Sequence, residues 1–456
     1  MYKVSQIIVS NTDPLYNYLD NYAHMAKLLY NASLFRIRQI FTGLGKDVFT
    51  DNEKEVLDEV AILERTYPSI HVKKVISYSH LEKLMRVTNN PDFFSGLPMQ
   101  TSQQIIRQAC TDFSNWLKAL KKYMSNPGDF LGRPNMPGYK KSDICSFAIT
   151  NQDAVLYSKR NKDGNASYCE LKLPRTRERI TLSNLTGDEC LKEITVKPYY
   201  GRYILSLTFE LKGTIAVSSA SNMAGIDFGI NNIAAIACTD GSSVIYKGGA
   251  LLSDNQKFAK LRSKYVGIIT KGHNHKYASS KRLSNISFHH ANFTKDQLHK
   301  ISTSIINWCV NHEVGTLVLG ENRNWKQESN IGTVNNQIFV AFPITWLREL
   351  IIYKAKAQGI NVIVQEESYT SKADITAFDF IPTYGVNDEE ASFSGKRIRR
   401  GLYRCSNGLL INADCNAAAN ILRKAIPYAW DTAESFDFLV SPDVLGFHEL
   451  NPKSIA

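Results

Sequence analysis

Apolar positions in the first 125 residues recur at helical spacing. After a short strand over Lys3 to Ser10, Leu15, Leu19, Tyr22, Met25, Leu29, Ile37 and Ile40 fall on one face. They predict one long amphipathic helix with a possible break near Ser33. Val56, Leu57, Val60 and Leu63 predict a second helix after Asp51, and Leu81, Leu84 and Met85 lie in a polar region beyond it. A third long helix is expected to open at Thr101, where Thr101-x-x-Gln104 has the form of a capping box. Its apolar face is Ile105, Ala109, Phe113, Trp116, Leu120 and Tyr123. These stripes are what the core of a helical bundle requires.

The pattern then changes. A Pro/Gly-rich stretch from Asn126 to Lys141 breaks the helix, and short β-rich runs follow: Ile144–Thr150, Ala154–Lys159, Tyr168–Pro174, Arg179–Ser183 and Glu193–Leu211. The last contains Tyr199-Tyr200-Gly201-Arg202 as a hairpin turn. Regular short strands suggest a small β-barrel, to which the N-terminal strand could contribute, with the helices as an insertion. Ser218 to Asn222 is expected to be a linker. From Ala224 strands alternate with helices, including a strongly basic helical stretch with Lys257, Lys260, Arg262, Lys264, Lys271, Lys276, Lys281 and Arg282. After Pro427 the tail is acidic, unpatterned and expected to be loosely held.

Composition changes this picture little. Hydrophobic residues are 43% and charged residues 21% of 456, an ordinary globular balance, and the length allows two or three domains. The formal charge of +11 favours a polyanionic partner. No apolar run is long enough to span a membrane, and the N-terminus lacks a signal-peptide core. Eight cysteines without a C-x-x-C pair read as free thiols in a reducing cytoplasm.

The candidate chemistry is carried by carboxylates. In Gly225-Ile226-Asp227-Phe228-Gly229 an acid sits in an otherwise apolar strand, where it is costly without a cationic partner. Val314 to Gly320 is a buried strand ending in Glu321, and Ala413-Asp414-Cys415-Asn416 opens a helix. The separations are about 94 (321 − 227) and about 93 (414 − 321) residues, so only the fold could gather the three. Gathered carboxylates repel one another unless cations neutralise them. Mg²⁺ takes hard oxygen ligands, and two such ions suit phosphodiester hydrolysis. Each acid taken separately could equally be a cap, a turn residue or an ion-pair partner.

In order and surroundings, the motifs around Asp227, Glu321 and Asp414 resemble the split RuvC-type nuclease motifs of TnpB (OrfB-type) insertion-sequence proteins, relatives of type V CRISPR effectors. Leu298 to Ser302, Tyr353-Lys354-Ala355 with Gly359, Tyr369-Thr370-Ser371 and the Gly132-Arg133-Pro134 to Lys140 stretch also fit. The resemblance implies a multidomain α+β chain. A wedge β-barrel (1–12 with 126–217) would carry an inserted helical recognition domain (13–125). A linker (218–222) would lead to an α/β RNase H-like RuvC domain (223–366 with 410–430), interrupted by a target-loading segment (367–409) and followed by a tail (431–456). It further implies an RNA-guided, Mg²⁺-dependent DNA endonuclease of the bacterial or archaeal cytoplasm. Its partners would be a guide RNA from the transposon end and double-stranded target DNA beside a short flanking motif. Asp227, Glu321 and Asp414 would hold the metal and carry catalysis.

One departure matters. Family members usually carry a four-cysteine zinc ribbon, whose positions here would be Asp374, Ala377, Arg404 and Asn407, so structural zinc is not expected. A basic segment with Lys396, Arg397, Arg399, Arg400 and Arg404 stands in its place. Together with Arg133, Tyr139, Lys140 and Lys141 it is expected to contact nucleic acid. His273-Asn274-His275 and His289-His290 read as phosphate contacts or plain surface rather than a metal site, and Tyr199, Tyr200 and Tyr203 as strand packing rather than base stacking. A small type V CRISPR effector shares all this chemistry, and a repressor that binds guided DNA without cutting remains an alternative. A covalent transposase mechanism would need a nucleophilic Tyr or Ser, and none stands out.

Overall fold

The computed structural model describes residues 2–160, 167–182, 185, 189–211, 218–271, 279–322, 343–386 and 391–451. The chain forms two compact units, Met1–Gly213 and Thr214–Ala456.

In the first unit, strand β1 (Tyr2–Val9) precedes helices α1 (Tyr16–Gly43), α2 (Asp51–Thr66), α3 (Tyr78–Val87) and α4 (Met99–Ser125). Helix α1 does not break at Ser33. The buried Ser33 hydroxyl donates to the Leu29 carbonyl at 2.7 Å, so its own helix satisfies it. Nor does Thr101 cap α4, which starts earlier, behind Pro98, whose fixed φ and missing N–H suit a helix start. The capping box belongs to α2 instead: Thr50 Oγ1 accepts from the Glu53 amide at 3.3 Å and Glu53 Oε2 from the Thr50 amide at 3.0 Å. The apolar faces pack as anticipated, with Leu19, Leu29, Leu34, Ile40, Leu81, Leu84 and Phe113 buried in one core.

The β-rich half contains β2 (Phe147–Thr150), β3 (Val155–Arg160), β4 (Ser167–Lys172), β5 (Arg179–Leu182), β6 (Cys190–Tyr199) and β7 (Arg202–Glu210). Strand β1 pairs antiparallel along the whole of β7, so the N-terminus does join this half. The single barrel anticipated from the strand spacing is not what the described residues form. They make two sheets, β1-β7-β6-β2 and β3-β4-β5. Between β2 and β3 the amides of Asp153 and Ala154 both donate to the Thr150 carbonyl at 3.1 Å, a turn that takes the chain from one sheet to the other.

The second unit is built on a six-stranded mixed sheet, and its order runs β12 (Asn361–Glu366), β11 (Val314–Glu321), β8 (Asn222–Asp227), β9 (Asn232–Cys238), β10 (Ser242–Lys247) and β16 (Asp443–Leu445). Strands β8, β11 and β12 are parallel, and β9 folds back antiparallel on β8. Alternation divides each strand between two faces. Ala224, Ile226, Leu317 and Leu319 pack against α6 (Lys281–Asn311) and α7 (Ile344–Ala357). Val318, Ala235 and Ala237 pack against α8 (Ala413–Ala425). Helix α5 (Gly249–Thr270) carries much of the basic stretch, and a three-stranded sheet of β13 (Lys396–Arg399), β14 (Leu402–Arg404) and β15 (Leu410–Asn412) leads into α8.

Two expectations about the second unit need correction. Ser218 to Asn222 is not a loose linker, because the Ser218 amide donates to Gly359 at 2.9 Å and Asn222 already begins β8. The tail is not loosely held either. Trp430, Phe436 and Leu439 are buried, Trp430 Nε1 donates to the Ala419 carbonyl at 3.1 Å, and β16 extends the sheet parallel to β10. Helix α9 (Phe447–Leu450) ends at Asn451, which accepts from Gln297 at 3.3 Å. Those anchors are spaced irregularly, so no periodicity announces them.

Candidate active site

Asp227 ends β8, on the sheet face that α8 covers. Two residues earlier, a Cβ on Gly225 would collide with the Ala418 carbonyl, so the missing side chain is what lets α8 lie against the strand. That close approach brings the first turn of α8 beside the strand end. Asn412 caps the helix, its Oδ1 accepting from the Asp414 amide at 3.0 Å and the Cys415 amide at 3.2 Å. Asp414 therefore stands at the helix start, where the dipole favours negative charge.

Asp227 and Asp414 line one cleft of about 320 Å³ with Asn231, Asn232, Lys247, Arg397 and Arg400. Asp414 Oδ2 accepts from Asn232 at 2.6 Å, whose Oδ1 in turn accepts from Lys247 at 2.9 Å. Arg397 pairs with Asp414 Oδ1 at 3.3 Å. Burial, then the charges of Glu367 and Asp414, hold the Asp227 carboxyl well above the usual carboxylate range, while Arg397 pulls it back.

Glu321 ends β11 on the other face. Leu319 pairs with Ile226, so Gly320, not Glu321, is next to Asp227 and shares its side of the sheet. Glu321 Oε1 lies 3.0 Å from Arg348 of α7. The carboxylate that comes over Gly320 belongs to Glu367, one residue beyond β12. Its amide donates to the Glu321 carbonyl at 3.3 Å, and a Cβ on Gly320 would stand 2.7 Å from its Oε2. Burial first, then Glu366, push its carboxyl up to about 7, with Arg348 and an Asn322 hydrogen bond acting in the opposite direction. Glu367 was not singled out in the sequence. The signal was there, since Glu366-Glu367 ends an apolar strand just as Glu321 does.

The basic residues divide between two places. Strand β13 is exposed along its length, and Arg397 and Arg400 reach the acid cleft. Arg404 is exposed on β14. In the first unit Arg133, Tyr139, Lys140 and Lys141 lie on an exposed extended segment. This segment is strapped to α1 by Asn31, which donates to the Lys140 carbonyl at 3.1 Å and accepts from the Lys140 amide at 2.8 Å. Arg38 lies over the Tyr139 ring at 5.1 Å and Lys140 over Tyr30 at 4.4 Å.

The positions where a ribbon would carry cysteines hold a different device. Asp374 is buried and accepts from the Ser406 amide at 2.6 Å and the Thr376 amide at 2.9 Å, so one carboxylate joins the two loops. Asp379 completes the clasp, accepting from the amides of Asp374 at 2.8 Å and Ser394 at 2.9 Å. His290 is bonded to Asp254 at 2.6 Å and stacks on Phe258 at 4.0 Å; His273 to His275 lie outside the described residues. Tyr203 is buried with its hydroxyl donating to Asp20 at 2.7 Å, while Tyr199 and Tyr200 contact each other at the hairpin turn.

The donor set of the cleft is hard carboxylate oxygen, which fits a divalent ion of the Mg²⁺ kind. Among the described residues no three His, Cys, Asp or Glu side chains converge at metal-holding distance as they stand. In this arrangement Arg397 supplies the counter-charge to Asp414.

A two-unit α+β chain in which two acids, Asp227 and Asp414, meet at the end of an inner strand of a mixed sheet is the class that these features define. Comparison with known proteins narrows it. Residues 206–326 match the family model described as OrfB_IS605, probable transposase, and residues 346–421 match the Cas12f1-like TNB domain. The chain is 26% identical over 235 residues to the CRISPR-associated endodeoxyribonuclease Cas12f1 of Sulfoacidibacillus thermotolerans, covering 50% of each. It is 27% identical over 217 residues to the TnpB-like protein ORF457 of Acidianus two-tailed virus, covering 46% of this chain and 44% of that one. The chain thus spans about half the length of the curated relatives it matches. Among solved structures, a Cas12f1–sgRNA–target DNA complex aligns over 89% of this chain and 82% of that one, at 15% identity and a TM-score of 0.49. Over these stretches the chain is similar to Cas12f1 and to the TnpB-like proteins.

Proposed function

We propose that the chain is an RNA-guided DNA endonuclease whose second unit is an RNase H-like, RuvC-type nuclease domain. The observation that carries this reading is the meeting of Asp227 and Asp414 in one cleft. They are 187 residues apart (414 − 227), and a parallel strand end and a capped helix start bring them together. Homology to an endodeoxyribonuclease and to TnpB-like proteins supports the same reaction class.

In this reading Asp227 and Asp414 hold a divalent ion, with a third carboxylate from the β11–β12 end. Sequence offers Glu321 for that place, and the fold also offers Glu367. Magnesium ions bound there would supply an activated water and stabilise the leaving 3′-oxygen. The chain's own contribution is placement. The Asn412 cap fixes the start of α8, and Asn232, held by Lys247, orients one oxygen of Asp414. The hairpin guanidiniums of Arg397 and Arg400 stand where a phosphate entering the cleft would meet them. A guide RNA would supply sequence recognition, double-stranded DNA would be the substrate, and the exposed basic segments would grip both backbones.

The test is plasmid cleavage by protein co-purified with RNA from its native locus, in Mg²⁺ and in EDTA. Mg²⁺-dependent cutting at a guide-matched site, abolished in Asp227→Ala, is expected. Guided binding without cutting would replace the nuclease by a repressor.

A further inference from the structure

We infer that α5 and the first half of α6 form an arm that grips the backbone of the target DNA outside the acid cleft, with Lys257, Lys260 and Lys264 as its contacts. The inference rests on the nuclease reading above and extends its substrate path beyond the cleft.

The arm is defined by its packing. Of the 22 residues of α5 only Leu251 and Thr270 are buried. Leu251 and Leu252 meet the core of the sheet, and beyond them α5 packs on α6. The seam is antiparallel: His290 meets Asp254 at 2.6 Å and Phe258 at 4.0 Å, and Arg282 lies over Tyr265 at 4.2 Å. Burial accounts for these seam residues and leaves the opposite face of α5 unexplained.

That face is a stripe of lysines. At 3.6 residues per turn Lys257, Lys260 and Lys264 fall within about 60° of one another, turned roughly 120° from Phe258 and Tyr265. All three are exposed. Like charges three and four residues apart destabilise a helix. The one acid of α5, Asp254, is engaged with His290, and among the described residues no carboxylate pairs with any of the three lysines. A polyanion lying along the stripe would supply the missing counter-charge.

Continuity with the cleft selects DNA as that polyanion. Strand β10 ends in Lys247, which lines the cleft with Asp227 and Asp414. The Gly248 amide then donates to the carbonyl of Asn231, another lining residue, at 2.7 Å, so α5 sets out from the cleft wall. At about 1.5 Å per residue, Lys257 and Lys264 stand about 12 and about 23 Å along the axis from Gly249. A strand held between Asp227 and Asp414 would meet this row next.

The experiment is filter binding of guide-matched double-stranded DNA to the full-length protein with its co-purified RNA, from low to high salt. An Asp227→Ala background keeps the DNA intact, and circular dichroism checks that each variant is native. Lys257→Gln, Lys260→Gln and Lys264→Gln combined should reduce the slope of log affinity against log salt by up to about 2.7, at about 0.9 per phosphate. The amount of bound RNA should not change. Arg262→Gln, which removes a charge from another face of α5, should leave the slope as it is. An unchanged slope in the triple variant, or an equal loss per charge in Arg262→Gln, overturns the assignment. Loss of bound RNA with the DNA slope unchanged would make the arm an RNA grip and overturn it equally. Absence of guided DNA binding by the unsubstituted protein would instead overturn the nuclease reading itself, so the two failures are distinguishable.

Discussion

A divalent ion in the cleft would have to compete with Arg397 for Asp414 Oδ1, since the guanidinium is already within 3.3 Å of that oxygen. Arg397→Gln should therefore tighten Mn²⁺ binding several-fold, while the loss of a phosphate-facing cation weakens DNA binding; calorimetric titration of each ligand separates the two effects. The buried acids make a second residue-scale prediction. Asp227 is raised well above 3.8 and Glu367 from 4.5 to about 7, so the folded, metal-free protein binds more protons than the unfolded chain across this range. That stabilising contribution is complete below about pH 4 and is lost as pH rises through the folded values. In EDTA, Asp227→Asn should thus be more stable than wild type at pH 8 and lose its advantage near pH 4. Thermal melts of both proteins across this range measure the difference, and a gap that does not change with pH would refute it. Asp227 and Asp414 were legible in the sequence because an acid inside an apolar strand and an acid heading a helix both stand out locally. Glu367 was passed over although it too follows an apolar strand, because its place over Gly320 depends on the β8–β11 register and on the absent side chain at 320, which are not local signals.

At the scale of elements, the site depends on how closely α8 lies against β8. A Cβ at residue 225 would meet the Ala418 carbonyl, a backbone atom that cannot swing aside, and Leu422 Cβ at 2.9 Å. Gly225→Ala should then cost roughly 1–3 kcal/mol or more and move Asp414 away from Asp227, so metal affinity falls along with the melting temperature. The clasp between β12 and α8 makes a comparable prediction. Asp374 satisfies buried amides from both loops, and Asp374→Ala would leave them without a partner at about 1–3 kcal/mol. Proteolysis near Ser406 reports that loosening, and added zinc should not reverse it. The alternation of strands and helices in the second unit, and the basic character of the segment around Lys396 to Arg404, could be read from residue pattern, whereas its pairing as β13 and β14 was not. The clasp could not, because short polar side chains reaching back to amides leave no periodic trace. Strand spacing likewise could not tell one closed barrel from two sheets, since that depends on the turn at Thr150 to Ala154.

For the whole molecule the relevant quantity is the charge of +11 and where it is spent on contacts. Two classes of basic residue can be told apart on the hairpin. Arg397 and Arg400 line the acid cleft, whereas Lys396 and Arg399 lie on the exposed strand β13. The first pair should act on the reacting phosphate, the second on backbone phosphates farther along the strand. Each backbone contact releases counterions, and log affinity then falls with log salt by about 0.9 per phosphate neutralised. Lys396→Gln combined with Arg399→Gln should therefore reduce that slope by up to about two, with cutting of saturated DNA little changed. Arg397→Gln combined with Arg400→Gln should instead lower the single-turnover cutting rate at saturating DNA, because on the proposed reading the cations removed from the acid cleft would face the scissile phosphate. Filter binding from low to high salt, beside single-turnover cleavage, resolves both. If the two double variants behaved alike, the hairpin would be one undivided phosphate grip, and its contact with Asp414 would have no separate part in catalysis.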